Sequence, residues 1–205
     1  MNNIISCKKD VDYKIDIFTI KEASDFYSKF INKNDYHNYE FGYERYNLKK
    51  KIQYFDYIDM QSYGGSKKYN DTCRLIIAHS DTDILGICKF AHWDSSNSYS
   101  ISYLSTNKDF FEIGVSKKLL EKMFDYFSKT YSNDVLAFSG YSVEGWKYLR
   151  KSILDFSNKY KVAIKEKSIQ YPGISGRFTE EEYELMDKSK EEIKNKYGYK
   201  DSYDY

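Results

Sequence analysis

The sequence predicts a mixed α/β fold, with a mostly antiparallel central sheet flanked by helices, and three observations carry that prediction. Three strand-like runs lie close together between residues 72 and 106, separated only by short turn-prone segments. A long amphipathic helix pattern follows them, with Val115, Leu119, Leu120, Met123, Phe124 and Phe127 on one stripe. Strand, helix and strand patterns then alternate to residue 166. Short polar turns favour antiparallel neighbours, and a 3.6-residue apolar stripe needs a sheet or helix to cover it.

Taken in order, "DYKIDIFTI" (12–20) alternates apolar and polar residues as a half-buried strand does. Thr19 and Glu22 then have the spacing of a capping box, ahead of Ile20, Ala23, Tyr27, Phe30 and Ile31 on one helical face. Residues 36–60 form a tyrosine-rich helical stretch that ends in the loop "YGGSKKYND". "TCRLIIAH" (72–79), "ILGICKFAHW" (84–93) and "YSISYLST" (99–106) read as a meander joined by "SDTD" and "DSSNS". Beyond the long helix, "DVLAFS" (134–139) reads as a buried strand and 143–160 as a helix with Trp146, Leu149, Ile153, Phe156 and Tyr160 inward. "KVAIKE" (161–166) is the final strand, and Thr179 with Glu182 repeats the capping-box spacing before a charged helix. This divides the chain into one domain over 1–178 and a C-terminal helix with a tyrosine-rich tail over 179–205.

Composition narrows the function classes. Lys+Arg 32 against Asp+Glu 31 gives a net charge of +1, so no global field favours nucleic acid or an anionic membrane. No apolar run has bilayer-spanning length, and "MNNIISCKKDVDYK" lacks the apolar core of a secretory signal, which predicts a cytoplasmic protein. Cys7, Cys73 and Cys88 have no metal-site spacing and read as reduced structural thiols, so no metal is expected. The 23 tyrosines and 13 phenylalanines are spread from end to end, which points to packing first.

The most informative stretch is "SISYLSTNKDFFEIGVSKKLLEKMFDYF" (100–127), where a strand breaks, passes Gly114 and enters the long helix. Such a junction points several unpaired backbone N–H groups, and the positive end of a helix dipole, at one place, where an anion fits. Neither the dinucleotide-binding nor the P-loop glycine pattern is present.

Here the sequence resembles the GNAT superfamily of N-acetyltransferases, whose R/Q-x-x-G-x-G/A signature aligns with Phe111, Glu112, Ile113, Gly114, Val115 and Ser116. The order of elements over residues 12–166 is similar to that family's, and "LAFSGYSVEGWKYLRKSI" resembles its second conserved block, with Ser142 and Gly145 where Asn and Ala are usual. Phe111 stands in place of the Arg or Gln, and Glu112 places a carboxylate in the loop.

The resemblance implies an acyl-CoA-binding fold with acetyl-CoA as co-substrate. Its pyrophosphate would lie on residues 111–116 and its thioester near Tyr103 and Leu104. Cofactor-binding candidates are Leu104, Ser105, Thr106, Phe111, Glu112, Ile113, Gly114, Val115, Ser116, Lys117 and Ser142, with Lys108 and Lys118 adding positive charge. Tyr148 is the implied general acid, although counting from Ser142 puts the family's usual tyrosine on Leu149; Tyr141 is a second candidate. Ser100 stands where histone-type members carry a basic glutamate, leaving His92 and His79 as bases acting through water. Acidic and aromatic residues in 32–70 (Tyr36, Tyr39, Glu40, Tyr43, Glu44, Tyr46, Asp56, Asp59) suit a cationic primary amine, small molecule or protein, as acceptor. A monomer or homodimer is expected. Two rivals are a catalytically idle module that binds a protein or nucleic acid, and an enzyme acting on charged tRNA; the absence of a dense basic stripe argues against the second.

Overall fold

The computed structural model describes residues 11–27, 67–94, 96–106, 110, 113–172 and 176–198. The elements are β1 (Lys14–Phe18), α1 (Ile20–Tyr27), α2 (Lys67–Thr72), β2 (Arg74–His79), β3 (Ile84–Trp93), β4 (Ser98–Thr106), α3 (Val115–Thr130), β5 (Val135–Phe138), β6 (Tyr141–Ser142), a π-helical turn (Gly145–Leu149) running into α4 (Arg150–Tyr160), β7 (Ala163–Glu166), β8 (Ile169–Tyr171) and α5 (Glu180–Tyr197). Six strands form one mixed sheet in the order β1-β2-β3-β4-β5-β7, and β6 pairs with β8 in a second, two-stranded sheet. The β1 to β4 pairings are antiparallel, whereas β4 with β5 and β5 with β7 are parallel. Fold class and the succession along the chain of the six strands of the main sheet therefore agree with the sequence reading.

Local signals explain most boundaries. Both capping boxes form: the Glu22 amide donates to Thr19 Oγ1 at 3.3 Å and the Thr19 amide to Glu22 Oε2 at 2.8 Å. At α5 the Glu182 amide donates to Thr179 Oγ1 at 3.3 Å and the Thr179 amide to Glu182 Oε2 at 2.9 Å. Strand β3 is buried on both faces along nine of its ten residues, as its apolar run requires. One face of the sheet packs Ile76, Ala78, Cys88 and Phe90 against the α3 stripe, and the other packs Leu75, Ile77, Ile87 and Ala91 beside Ala23 and Tyr69. Each Ile, Leu or Phe side chain buried there contributes about 1.5–3 kcal/mol.

Three boundaries differ from the sequence reading. Strand β2 starts at Arg74 because the Cys73 amide closes a helical turn onto the Tyr69 carbonyl at 2.8 Å and Thr72 Oγ1 donates to the Lys68 carbonyl at 2.7 Å. The buried Tyr69 ring meets Trp93 edge-on at 5.1 Å, so the end of the expected loop is pulled into α2. Strand β7 starts at Ala163 because Lys161, at φ 55, ends α4 and the Val162 amide bonds back to the Ser157 carbonyl. Strands β6 and β8 have no counterpart in the sequence reading. The helical stretch of 36–60, with the acceptor candidates it carries, lies outside the described residues. Among the described residues no helix is long and apolar enough to cross a membrane.

Candidate functional site

Strands β4 and β5 stay paired only through Tyr99–Leu136, Ser100–Ala137 and Ile101–Phe138. Strand β5 then ends, while β4 continues to Thr106 with β3 on its other side. The parting coincides with an irregularity in the β3–β4 ladder, where Lys89 faces Tyr103 but Phe90 faces Ile101. Ser102 is thus an extra residue on β4, a bulge that turns the strand and disturbs its ladder. On the side that β5 has left, the backbone polar groups of residues 102–106 have no strand partner among the described residues, and this parting of the two strands is the opening of the candidate site.

The floor of that opening is the start of α3. Gly114, at φ 77 and ψ 16, caps the helix in the left-handed region without a side-chain cap, and an added Cβ there would meet nothing within 4 Å. The Lys118 amide makes the first helical bond, to the Gly114 carbonyl at 3.1 Å, so the amides of Val115, Ser116 and Lys117 have no partner within the helix. The Thr106 and Ser116 hydroxyls are hydrogen-bonded to each other, joining the end of β4 to the first turn of α3. Lys117 and Lys118 are exposed beside it, with Lys118 Nζ 4.9 Å from the centre of the Tyr13 ring. Leu104, Ser105, Thr106 and Ile113 are half-buried and Val115 is fully buried, so the predicted residues from 104 to 106 and from 113 to 117 do converge on one place. Phe111 and Glu112 lie outside the described residues.

The opposite wall follows β5. Gly140, at φ 148, makes the step into β6, and a Cβ there would lie 2.4 Å from Gln170 Cγ, so a side chain is excluded. Ser142 Oγ then accepts the Gly145 amide at 3.0 Å, at the head of the π-helical turn. Single π turns recur at functional sites, and this one carries Tyr148 with its side chain 74% exposed. Leu149, the other position open to the family's tyrosine, is half-buried and packed on the core.

Behind this wall lies a polar cluster that the sequence reading missed. Glu166, fully buried, accepts from Tyr141 Oη at 2.7 Å and Arg150 Nε at 3.0 Å on one oxygen, and from Lys196 Nζ at 2.9 Å and Tyr197 Oη at 3.0 Å on the other. Burial alone would raise its pKa, but the hydrogen bonds from Lys196, Tyr141 and Arg150 outweigh it and hold the carboxyl below its ordinary value. Burial, with the Glu166 charge, drives the Tyr141 phenol strongly upward. Tyr141 therefore serves as a fixed donor to Glu166. The only hint in the sequence is an acidic residue closing the otherwise apolar-alternating "VAIKE", whose partners lie 16 to 31 positions away.

Of the two histidines, His92 stands apart from the opening, whereas His79 lies on β2, two strands from β4, towards the Thr106 end of the sheet. His92 pairs with Tyr99 at the start of β4, about 17 Å along the strand from Leu104 at roughly 3.3 Å per residue. It is buried, with its ring edge-on to Tyr99 at 5.2 Å and Nδ1 3.4 Å from Asp94 Oδ1. His79 is held on β2 by Asp16, Nε2 to Oδ2 at 2.9 Å.

No protein-family model and no curated protein matches the chain. Among the solved structures similar to it are three whose names call them acetyltransferases. One is a ribosomal-protein-alanine N-acetyltransferase from Brucella melitensis biovar Abortus, with TM-score 0.43 and 14% identity over 69% of this chain and 91% of that one. Another is an aminoglycoside acetyltransferase from an uncultured soil sample, in complex with sisomicin, with TM-score 0.42 and 14% identity over 82% and 95%. The third is a predicted acetyltransferase from Clostridium acetobutylicum with acetyl-CoA, with TM-score 0.36 and 11% identity over 95% and 94%.

Proposed function

We propose that this chain is an N-acetyltransferase that moves an acetyl group from acetyl-CoA to a primary amine by direct attack. The observation that carries the reading is the parting of β4 from β5 at the Ser102 bulge, with the uncapped amides of α3 beside Thr106 at the end of the released stretch. A pantetheine arm carries two amide groups, and the released edge of β4 offers amide partners to them along residues 102–106. The pyrophosphate would sit on the amides of 115–117, where the helix dipole and Lys117 favour negative charge. Val115 and Ser116 are held in place for this, one by the core and the other by Thr106.

In the reaction the neutral amine nitrogen attacks the thioester carbonyl carbon, the C–N bond forms and the C–S bond breaks. A backbone N–H near the bulge stabilises the carbonyl oxygen as it gains negative charge. The thiolate leaving group takes a proton from Tyr148, whose exposure leaves its hydroxyl accessible to solvent and substrate. The amine sheds its proton to water, and no step is assigned to His92, which lies at the other end of the sheet. Aromatic and acidic residues in 32–70 would favour a cationic acceptor.

Calorimetric titration with acetyl-CoA tests the reading directly: no detectable heat at millimolar ligand would remove it. Gly114→Val should weaken binding about tenfold or more, since its methyls project from a position with open space around it. Gly114→Ala imposes the same left-handed backbone strain, about 1–2 kcal/mol, without the extra bulk and should bind more tightly than the valine variant. Equal affinities for the two would deny close approach of a ligand there. Tyr148→Phe should lower kcat by about a hundredfold while acetyl-CoA affinity is kept. Because the side chain is exposed, the melting temperature should hardly move. Unchanged turnover would return Tyr148 to a surface role.

A further inference from the structure

The C-terminal helix α5 follows the part of the chain in which the sequence reading places the whole domain, yet its side chains reach the wall of the opening. We propose that α5 is a positioning element of the candidate site, setting the β6–β8 arm and hence Ser142; its consequence for ligand rests on the acetyl-CoA reading above.

Two independent sets of contacts carry this. On the outer side of the arm, Ser189 Oγ, buried in the α5 face, accepts the Ile169 amide at 3.0 Å while donating to the Met186 carbonyl at 2.7 Å. Ile169 pairs with Tyr141 and Tyr171 with Ser142, so α5 caps one strand of the sheet whose other strand forms the wall. Beneath the arm, Lys196 and Tyr197 bind one oxygen of Glu166, and Tyr141 and Arg150 bind the other. Arg150 also reaches Glu192 of α5, Nη1 to Oε1 at 2.6 Å, and its guanidinium lies 4.0 Å from the centre of the Trp146 ring in the π-helical turn. Glu166 is thus a shared anchor: the strand residue before Ser142, the residue that opens α4 and the last turn of α5 all meet on one carboxylate.

The geometry makes the arm depend on α5 more than on its own pairing. Strands β6 and β8 have two and three residues, too short to hold a two-stranded sheet by themselves. If α5 shifts, Tyr141 loses its fixed acceptor position, and Ser142 with the Gly145 amide moves with it. The wall that faces β4 would then be misplaced without any change in β4 or α3.

The test uses the full chain with Lys196→Met, which removes a donor to the Glu166 anchor of Tyr141, Ser189→Ala, which removes the contact to the Ile169 amide, and Lys196→Arg, which restores a donor to Glu166. Hydrogen exchange over residues 139–149 reads the arm without any ligand. Exchange should quicken there in Lys196→Met and Ser189→Ala, stay as in the parent within α3, and return towards parent values in Lys196→Arg. Acetyl-CoA affinity should fall about tenfold in the first two variants, equivalent to 1.4 kcal/mol, and recover in the third. Unchanged exchange in the arm would overturn the proposal whatever the ligand does. Quicker exchange with unchanged affinity would overturn the role of the arm as a site wall. If the parent itself binds no acetyl-CoA, the functional reading fails, and exchange still decides whether α5 positions the arm.

Discussion

Glu166→Ala should melt about 6–12 °C below the parent, from a loss of roughly 3 kcal/mol on breaking a buried charge cluster in a chain of this size. The carboxylate is fully buried and answers two cations, Arg150 and Lys196, of which Arg150 is itself nine-tenths buried. Removing it leaves Arg150 paired with Glu192 at the surface end and strands the Tyr141 hydroxyl without this acceptor. Glu166→Gln keeps the shape and loses the charge, and should fall between the two. The pH dependence has a definite sign. Because the folded carboxyl titrates below its ordinary value, its contribution is complete above the ordinary carboxylate range, about pH 4.3 for glutamate. It is lost as pH falls through the depressed folded value. The gap between parent and Glu166→Ala should therefore be constant at neutral pH and narrow on acidification. Thermal melts across that range check it, and variants that melt with the parent would mean that the cluster is no net anchor.

Gly86→Val should be the more damaging change for ligand. Gly86 sits on β3 between Ala78 and Thr106, and a Cβ there would stand 2.8 Å from Val115 Cγ1, 2.9 Å from Leu119 Cδ1 and 3.0 Å from the Ser105 carbonyl oxygen. Leu119 can turn away, but Val115 is stiff about χ1 and Ser105 is backbone of β4, so relief must come from moving the first turn of α3 outward. Overpacking of this kind costs about 1–3 kcal/mol. The same movement pulls the α3 amides away from the end of β4 and breaks the Thr106–Ser116 contact. Acetyl-CoA affinity should fall at least about tenfold, beyond what Gly114→Ala causes. Titration beside a thermal melt reads both, and normal affinity in a destabilised Gly86→Val would show that the α3 amides do not hold the ligand.

The features legible in the sequence are those whose cause lies within a few residues. The capping boxes at Thr19 and Thr179 and the α3 stripe are local patterns, and both kinds form as read. Strand β3 is found at 84–93 as read because turn residues bound an unbroken apolar run. Gly114 was legible as well, since a left-handed helix start calls for glycine. Residues 111 and 112 of the same loop lie outside what the structure describes.

Periodicity and end signals carry the class of fold, the succession of the six main-sheet strands and the junction at Gly114. Tertiary structure alone decided the rest. The bulge at Ser102 arises from how two strands align, and nothing in "SISYLST" marks which residue is left over. Strand β8 is three residues long and exists because β6 and Ser189 of α5 take up its backbone groups. The Glu166 cluster joins residues from 141 to 197, and His92 is drawn to the end of the sheet remote from the opening by its pairing with Tyr99. Periodicity reports which face of an element is buried, but alignment between strands and the meeting of distant charges are set by the packed chain as a whole, where burial makes each such contact costly to lose.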